Sequence, residues 1–287
     1  PTLTVHMQAE ATGLIEDSGR VVGLRAKTLG GEVEYRADLT VGADGRGSKL
    51  RDASGLKVDD LGAPMDVLWF QLPRDSDNED QLLARVNNGR FIITIDRGDY
   101  WQCALVIPKG GADVARQQGI EALRAKIGEA APFLASKTGE LKSFDDVRLL
   151  TVAVDRLEHW SKPGLLFIGD AAHAMSPIGG VGVNLAVQDA IAASNILGER
   201  LAKGERLDDN DLDAVRRRRL MPTRIIQRFQ VAAQNVVLKP GLADDAGARI
   251  NVKPIEFIAH IPVLRRLAAR MIGLGVRLER VRHVGSI

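Results

Sequence analysis

The spacing of apolar residues changes along the chain, and each change marks a change of element. Through residue 43 the period is close to two. Thr2 to Glu10, Val21 to Thr28 and Glu32 to Arg36 read as strands, with turns at Asp17-Ser18-Gly19 and Gly30-Gly31. Ala37 to Ala43 is a short buried run that stops at Asp44-Gly45. From Gly62 to Pro108 the chain is again strand-rich. Strands are predicted over Met65 to Leu72, Arg90 to Ile95 and Tyr100 to Ile107, with residues 73–88 a polar connection and Arg97-Gly98-Asp99 a hairpin turn. Residues 113–137 switch to helical spacing (Ile120, Leu123, Ile127), interrupted by Pro132, and Leu149 to Val154 returns to strand.

After residue 163 the pattern changes once more. An apolar run, Leu165 to Ile168, enters Gly169-Asp170, then a Gly- and Pro-rich loop, then an alanine-rich helix over about 183–203. The acids Asp208, Asp209, Asp211 and Asp213 open a further helix, as the helix dipole favours. It runs through Arg216–Arg219 to about Leu238 with a kink expected at Pro222, and residues 239–247 form a loop. A last helix, Pro262 to Arg280, places Leu264, Leu267, Met271, Leu274 and Leu278 on one stripe, which reads as a face buried against its own domain.

At 287 residues the chain is long enough for two domains, and 45% apolar with 26% charged residues is ordinary globular composition. No apolar run reaches membrane-spanning length, and the N-terminus has no signal-peptide pattern. Cys103 is the only cysteine, lies in an apolar run, and fits a core position in a reducing, cytoplasmic compartment. Residues 206–287 carry 16 basic and 8 acidic residues, a balance of +8, against −6 for residues 1–205. With no zinc spacing, aromatic ribonucleoprotein motif or helix-turn-helix, this basic region does not indicate nucleic acid. Peripheral contact with an anionic membrane is the weaker reading of the same helices.

Two segments carry the chemistry. In residues 164–190 a buried strand feeds a tight loop whose N–H groups converge at a helix N-terminus, a place that binds negative charge without a basic side chain. Gly179, Gly180 and Gly182 allow close backbone approach, and Pro177 stiffens the loop. In residues 38–51, a strand ends at Gly42-Ala43-Asp44-Gly45, and Ser48 and Arg51 begin a helix. His173 reads as packing, and His6, His159, His260 and His283 lack metal spacing. Trp69, Phe70, Phe91, Trp101 and Trp160 fit the core better than an aromatic pocket.

Together these segments resemble the class A FAD-dependent aromatic hydroxylases, the family of para-hydroxybenzoate hydroxylase and of ubiquinone-biosynthesis hydroxylases. Asp44 and Asp170 stand 126 residues apart with a sheet-rich block between them, as in that family. The resemblance implies an α/β fold, α+β overall: a Rossmann-like FAD-binding domain with an inserted, mostly antiparallel substrate domain and C-terminal helices. The expected division is 1–60 and 151–205 for the FAD-binding domain, 61–150 for the substrate domain and 206–287 for a C-terminal helical region. The meander of residues 1–43 would edge the larger sheet. The family's Gly-x-Gly-x-x-Gly, which cradles the ADP moiety, has no counterpart here. The expectation is therefore a fragment that lacks the N-terminal part and holds FAD weakly alone.

The same resemblance assigns roles. Gly169 and Asp170 would meet the ribityl chain, with Asp170 accepting from its hydroxyls, and Pro177 would lie beside the isoalloxazine. Backbone around Gly180, Gly182, Val183 and Asn184 would face the flavin N1/O2 edge. Asp44 and Gly45 would sit near the pyrophosphate, and Ala11 would border the adenine. No catalytic side chain and no metal are implied. The full-length enzyme would use NAD(P)H and O2 to hydroxylate an aromatic or quinone-precursor compound through a C4a-hydroperoxyflavin. Alternatives are a related flavin reductase, a halogenase, or a non-catalytic binding module. A halogenase would carry Trp-x-Trp-x-Ile-Pro, where this chain has Trp101-Gln-Cys-Ala-Leu-Val-Ile-Pro. The oligomeric state stays open, a homodimer being one option.

Overall fold

A computed structural model describes residues 3–75, 84–87, 90–235 and 261–282. The chain begins with an antiparallel meander, β1 (Glu10–Asp17), β2 (Arg20–Thr28) and β3 (Gly31–Arg36), followed by β4 (Thr40–Gly42), helix α1 (Lys49–Ser54) and β5 (Val58–Asp60). The first strand is thus Glu10–Asp17 and not Thr2 to Glu10. The alternating Leu3, Val5 and Met7 are 67–83% exposed, so their spacing reflects no buried face. The meander is also a three-stranded sheet of its own, ordered β1-β2-β3, and not the edge of a larger one.

The central block contains β6 (Met65–Pro73), β7 (Ala84–Asn87), β8 (Arg90–Asp96), β9 (Tyr100–Pro108) and β10 (Arg148–Leu150), which form one antiparallel sheet in the order β10-β6-β9-β8-β7. The hairpin between β8 and β9 turns at Gly98 (φ 87°), where Arg97 N–H donates to the Tyr100 carbonyl at 3.0 Å. The single helical stretch expected over 113–137 is three pieces: α2 (Ala112–Gln118), α3 (Ile120–Ala130) and a 3-10 segment, Pro132–Glu140. Gly119, at φ 85° and ψ 166°, breaks it before Pro132 does. Strand character expected to Val154 stops at Leu150. Leu68, Phe70, Trp101 and Cys103 of the sheet and Leu123 and Ile127 of α3 share one core.

The chain continues through β11 (Asp155–Leu157), which pairs with β5, and β12 (Ser161–Lys162) and β13 (Leu165–Phe167), which join β4 in the order β12-β13-β4. Then come α4 (Gly182–Ala202), α5 (Asp209–Ala233), which continues through Pro222, and α6 (Pro262–Leu274). The last helix ends at Gly275 (φ 82°), short of Arg280. Of the described side chains of its stripe, Met271 packs against a buried cluster, whereas Leu267, Leu274 and Leu278 are 47–58% exposed, so the expected burial of that face fails at these three. The loop expected over 239–247, and the helix beyond residue 235, lie outside the described residues.

Two compact units result. One holds residues 1–61, 153–228 and 266–287, the other 62–152 and 229–265. The stretch 206–287, read from sequence as a separate helical region, is therefore divided between them. Its first part belongs to the first unit because Leu207, Leu212 and Val215 complete a core with Leu165, Phe167 and Leu197.

Candidate functional site

β13 and β4 are parallel, with Leu165, Leu166 and Phe167 opposite Thr40, Val41 and Gly42. Their C-terminal ends therefore lie side by side, the place where chains diverging from a parallel sheet leave a ligand crevice. Both chemistry-bearing segments leave from this end. Ile168 N–H donates to the Gly42 carbonyl at 3.0 Å, and one step further on the Arg46 guanidinium meets the Asp170 carboxylate at 3.0 Å. Segments 126 residues apart thus form one wall. Arg46 and Asp170 are both half-buried.

The first segment is held from within. Gly45 adopts φ 86°, and the Ser48 hydroxyl donates to Asp44 Oδ1 at 2.6 Å while accepting the Arg51 N–H at 3.0 Å as the cap of α1. Arg51, buried, donates to Asp155 Oδ1 at 3.1 Å and to the Arg46 carbonyl at 2.9 Å. Asp155 in turn accepts the Ala174 N–H at 3.3 Å, so the ring of contacts returns to the loop that follows Asp170. Ala11 is brought to the α1 side of this site: its neighbour Glu10 pairs with Lys49 at 2.5 Å.

The second segment carries the helix N-terminus. Gly169 (φ 59°) opens a one-turn 3-10 helix, and Pro177 (φ −67°) precedes another over Ile178–Gly180, where Gly179 and Gly180 take φ 78° and 63°. Among the described residues no side chain caps α4, so the N–H groups of its first turn lack a side-chain acceptor. A Cβ on Gly182 would lie 3.8 Å from Asp170 Oδ1, which sets that carboxylate beside the helix end, and a Cβ on Gly180 would meet nothing within 4 Å. Val183 is exposed, and Asn184 donates to the Gly273 carbonyl at 3.4 Å. Gly169, Asp170, Gly182 and Arg46 are thus brought together as a rim, with Asp44 and Gly45 next to Arg46 in the chain and Pro177, Gly180, Val183 and Asn184 on the loop and first turn of α4.

Sequence reasoning missed what lies behind this rim. The Asp189 carboxylate on α4 is fully buried and accepts from His173 Nε2 at 2.5 Å, from Arg219 Nε at 2.9 Å and from the Gly169 N–H at 3.1 Å. Burial alone would raise its pKa, but the adjacent His173 and Arg219 outweigh that and hold it below the ordinary carboxylate range. His173 thus pairs with Asp189 and not with Asp170. Arg46 was missed as well. Of the aromatic candidates, Phe70, Trp101 and Trp160 are core, while Trp69 and Phe91 are half-buried. Among the described residues no His, Cys, Asp and Glu cluster could hold a metal, and no helix is long and apolar enough to cross a membrane.

The rim has the chemistry of a dinucleotide site: an uncapped helix end, glycine backbone open to approach, a carboxylate suited to sugar hydroxyls and a guanidinium suited to phosphate. A family model described as a FAD binding domain matches residues 1–228. The chain is 33% identical over 284 residues to the 6-methylpretetramide 4-monooxygenase of Streptomyces rimosus, covering 98% of this chain and 66% of that protein. It is 30% identical over 213 residues to a digeranylgeranylglycerophospholipid reductase of Methanosarcina mazei, covering 70% and 49%. Among solved structures, the OxyS anhydrotetracycline hydroxylase from Streptomyces rimosus superposes with a TM-score of 0.68 at 20% identity over 96% of this chain and 54% of that one. The chain belongs to the FAD-binding family of the class A flavin-dependent aromatic hydroxylases. It spans from about half to two-thirds of the length of these relatives.

Proposed function

We propose that the crevice beyond β4 and β13 holds FAD, and that the full-length protein is a monooxygenase that hydroxylates an aromatic or quinone-precursor compound with NAD(P)H and O2. The observation that carries the reading is the Arg46–Asp170 contact, which joins both flavin-type segments at the ends of parallel strands and beside an uncapped helix. Asp170 accepts from the ribityl hydroxyls. Gly45 and Asp44 would hold the pyrophosphate, with Arg46 beside them, and Ala11 would border the adenine. Pro177 and the backbone of Gly180, Gly182, Val183 and Asn184 border the ring, where the α4 dipole favours negative charge. Bound there, FAD would supply the hydride acceptance and O2 activation that the residues of the crevice themselves lack. The protein's own part is to orient the two partners and exclude water. The single cysteine, buried Cys103, supports a reducing cytoplasmic location.

A reductase is the second reading, supported by the 30% identity to a prenyl-lipid reductase. The test is a screen of phenols and quinone precursors with the FAD-loaded full-length protein. Stimulated NAD(P)H oxidation with matching O2 uptake and an oxygenated product supports the hydroxylase. Nicotinamide oxidation with a saturated product and no O2 uptake supports the reductase. Full-length protein that stays colourless after incubation with FAD sinks both.

A further inference from the structure

Asp189 sits four residues after buried Leu185 and three before buried Ala192, in the middle of the apolar stripe of α4. Arg219 holds the matching place on α5, between buried Val215 and Thr223. Both side chains are 0% exposed and 2.9 Å apart. A buried ion pair of this kind adds little net stability, because desolvation of the two charges offsets their attraction. Its geometry points elsewhere. The second Asp189 oxygen faces Gly169, accepting that residue's N–H at 3.1 Å and the His173 Nε2–H at 2.5 Å. Gly169 is the residue immediately before Asp170.

Arg219 is held in its turn. It donates to Gln188 Oε1 at 3.2 Å and to the Arg277 carbonyl at 2.9 Å, and it lies 3.4 Å from Glu279. Glu279 accepts two bonds from Arg218 at 2.6 and 3.0 Å. Amides along α4 bind the same C-terminal segment: Gln188 Nε2 donates to the Leu274 carbonyl at 3.0 Å, and Asn195 Nδ2 to the Arg280 carbonyl at 2.8 Å. Asp189 thus stands between a segment fixed at many points and one backbone amide in the cofactor rim.

We propose that Asp189, oriented by His173 and Arg219, is the positioning residue of the flavin loop: it fixes Gly169, and through it the Asp170 carboxylate, against the N-terminus of α4. The proposal rests on the FAD reading above. It predicts that loosening the Gly169 anchor weakens flavin binding without unfolding the protein. His173 supplies the mildest perturbation, since it gives Asp189 only its Nε2–H, while its Nδ1 makes no hydrogen bond among the described residues.

The experiment titrates FAD into full-length apoprotein and records affinity and the visible flavin spectrum. His173→Leu is expected to raise the FAD Kd at least about tenfold and to change the flavin bands, since a buried hydrogen bond to a charged group is removed. His173→Gln, which restores an N–H donor, is expected to return both toward wild type. His173→Leu protein that binds FAD within twofold of wild type with an unchanged spectrum overturns the proposal. So does equal weakening by His173→Gln and His173→Leu. If the Leu variant does not fold, hydrogen exchange at the Gly169 amide of the wild-type holoprotein decides: slow exchange supports the anchor, and exchange at the rate of an open loop overturns it. Wild-type protein that takes up no FAD at all overturns the cofactor reading itself, an outcome distinct from a variant that binds as wild type does.

Discussion

Substituting Gly169→Ala perturbs the rim at one atom, and the structure gives each part of its cost. Gly169 has φ 59°, a conformation that costs a residue with a Cβ about 1–2 kcal/mol. The new methyl would lie 3.0 Å from Ala186 Cβ on α4, inside the roughly 3.5–4.0 Å at which carbon atoms pack best. Relieving that contact pulls the Gly169 N–H away from Asp189, now at 3.1 Å, and weakens a bond of about 1 kcal/mol. The expected loss is about 2–3 kcal/mol in urea unfolding, together with weaker FAD binding. Ala186→Gly removes the opposing methyl and by itself costs up to about 1 kcal/mol of helix propensity. In the double variant the contact is gone but the backbone strain remains. The double should therefore be about 0.5–1 kcal/mol more stable than the two single losses would sum to. A Gly169→Ala protein within about 0.5 kcal/mol of wild type refutes the strain argument. Strict additivity in the cycle refutes the contact.

Three further outcomes follow from the same structure. Arg46→Met should change stability by no more than about 1 kcal/mol, because the pair with Asp170 is 31% and 28% exposed, yet lower FAD affinity about tenfold or more by titration. Asp66 is buried and accepts the N–H groups of Gly110 and Val152 and the Lys109 ammonium at 2.9–3.0 Å. Burial opposes its charge, but these donors hold its carboxyl below the ordinary 3.8. Its contribution is thus present above that value and lost as pH falls through the lower folded one, so the stability gap between wild type and Asp66→Asn should be widest near neutrality and close in acid denaturant titrations. Cys103 is buried, and burial pushes its thiol up to about 12, so iodoacetamide at pH 8 should label it only after unfolding.

Most strands and helices were legible because their apolar periods are clean. The β6, β8 and β9 strands and α4 fall within two residues of where spacing placed them. The failures have separate physical causes. Leu3, Val5 and Met7 alternate without a partner face, and alternation cannot show whether a face is covered. The isolated Gly119, in a conformation open mainly to glycine, ended a helix that the apolar spacing alone would have continued. In the site, the two glycine–aspartate segments could be read locally, but Arg46 is one charged residue in a polar turn, and nothing near it in the chain names Asp170 as its partner.

Asp189 and Arg219 were overlooked for a different reason, and here a signal existed. Leu185, Asp189, Ala192 and Ile196 keep helical spacing, as do Leu212, Val215, Arg219, Thr223 and Ile226. A charge at a stripe position is a charge headed for the core, and a buried charge persists only with a partner of opposite sign. One acid and one base, each alone in the stripe of its helix, therefore predict each other and predict that α4 packs on α5 at those residues. α4 carries no side-chain cap at its N-terminus among the described residues, while the buried carboxylate two turns in accepts the Gly169 N–H of the preceding loop. A hydrophobic pair at the same positions would pack the helices equally well, but it would offer the Gly169 amide no acceptor.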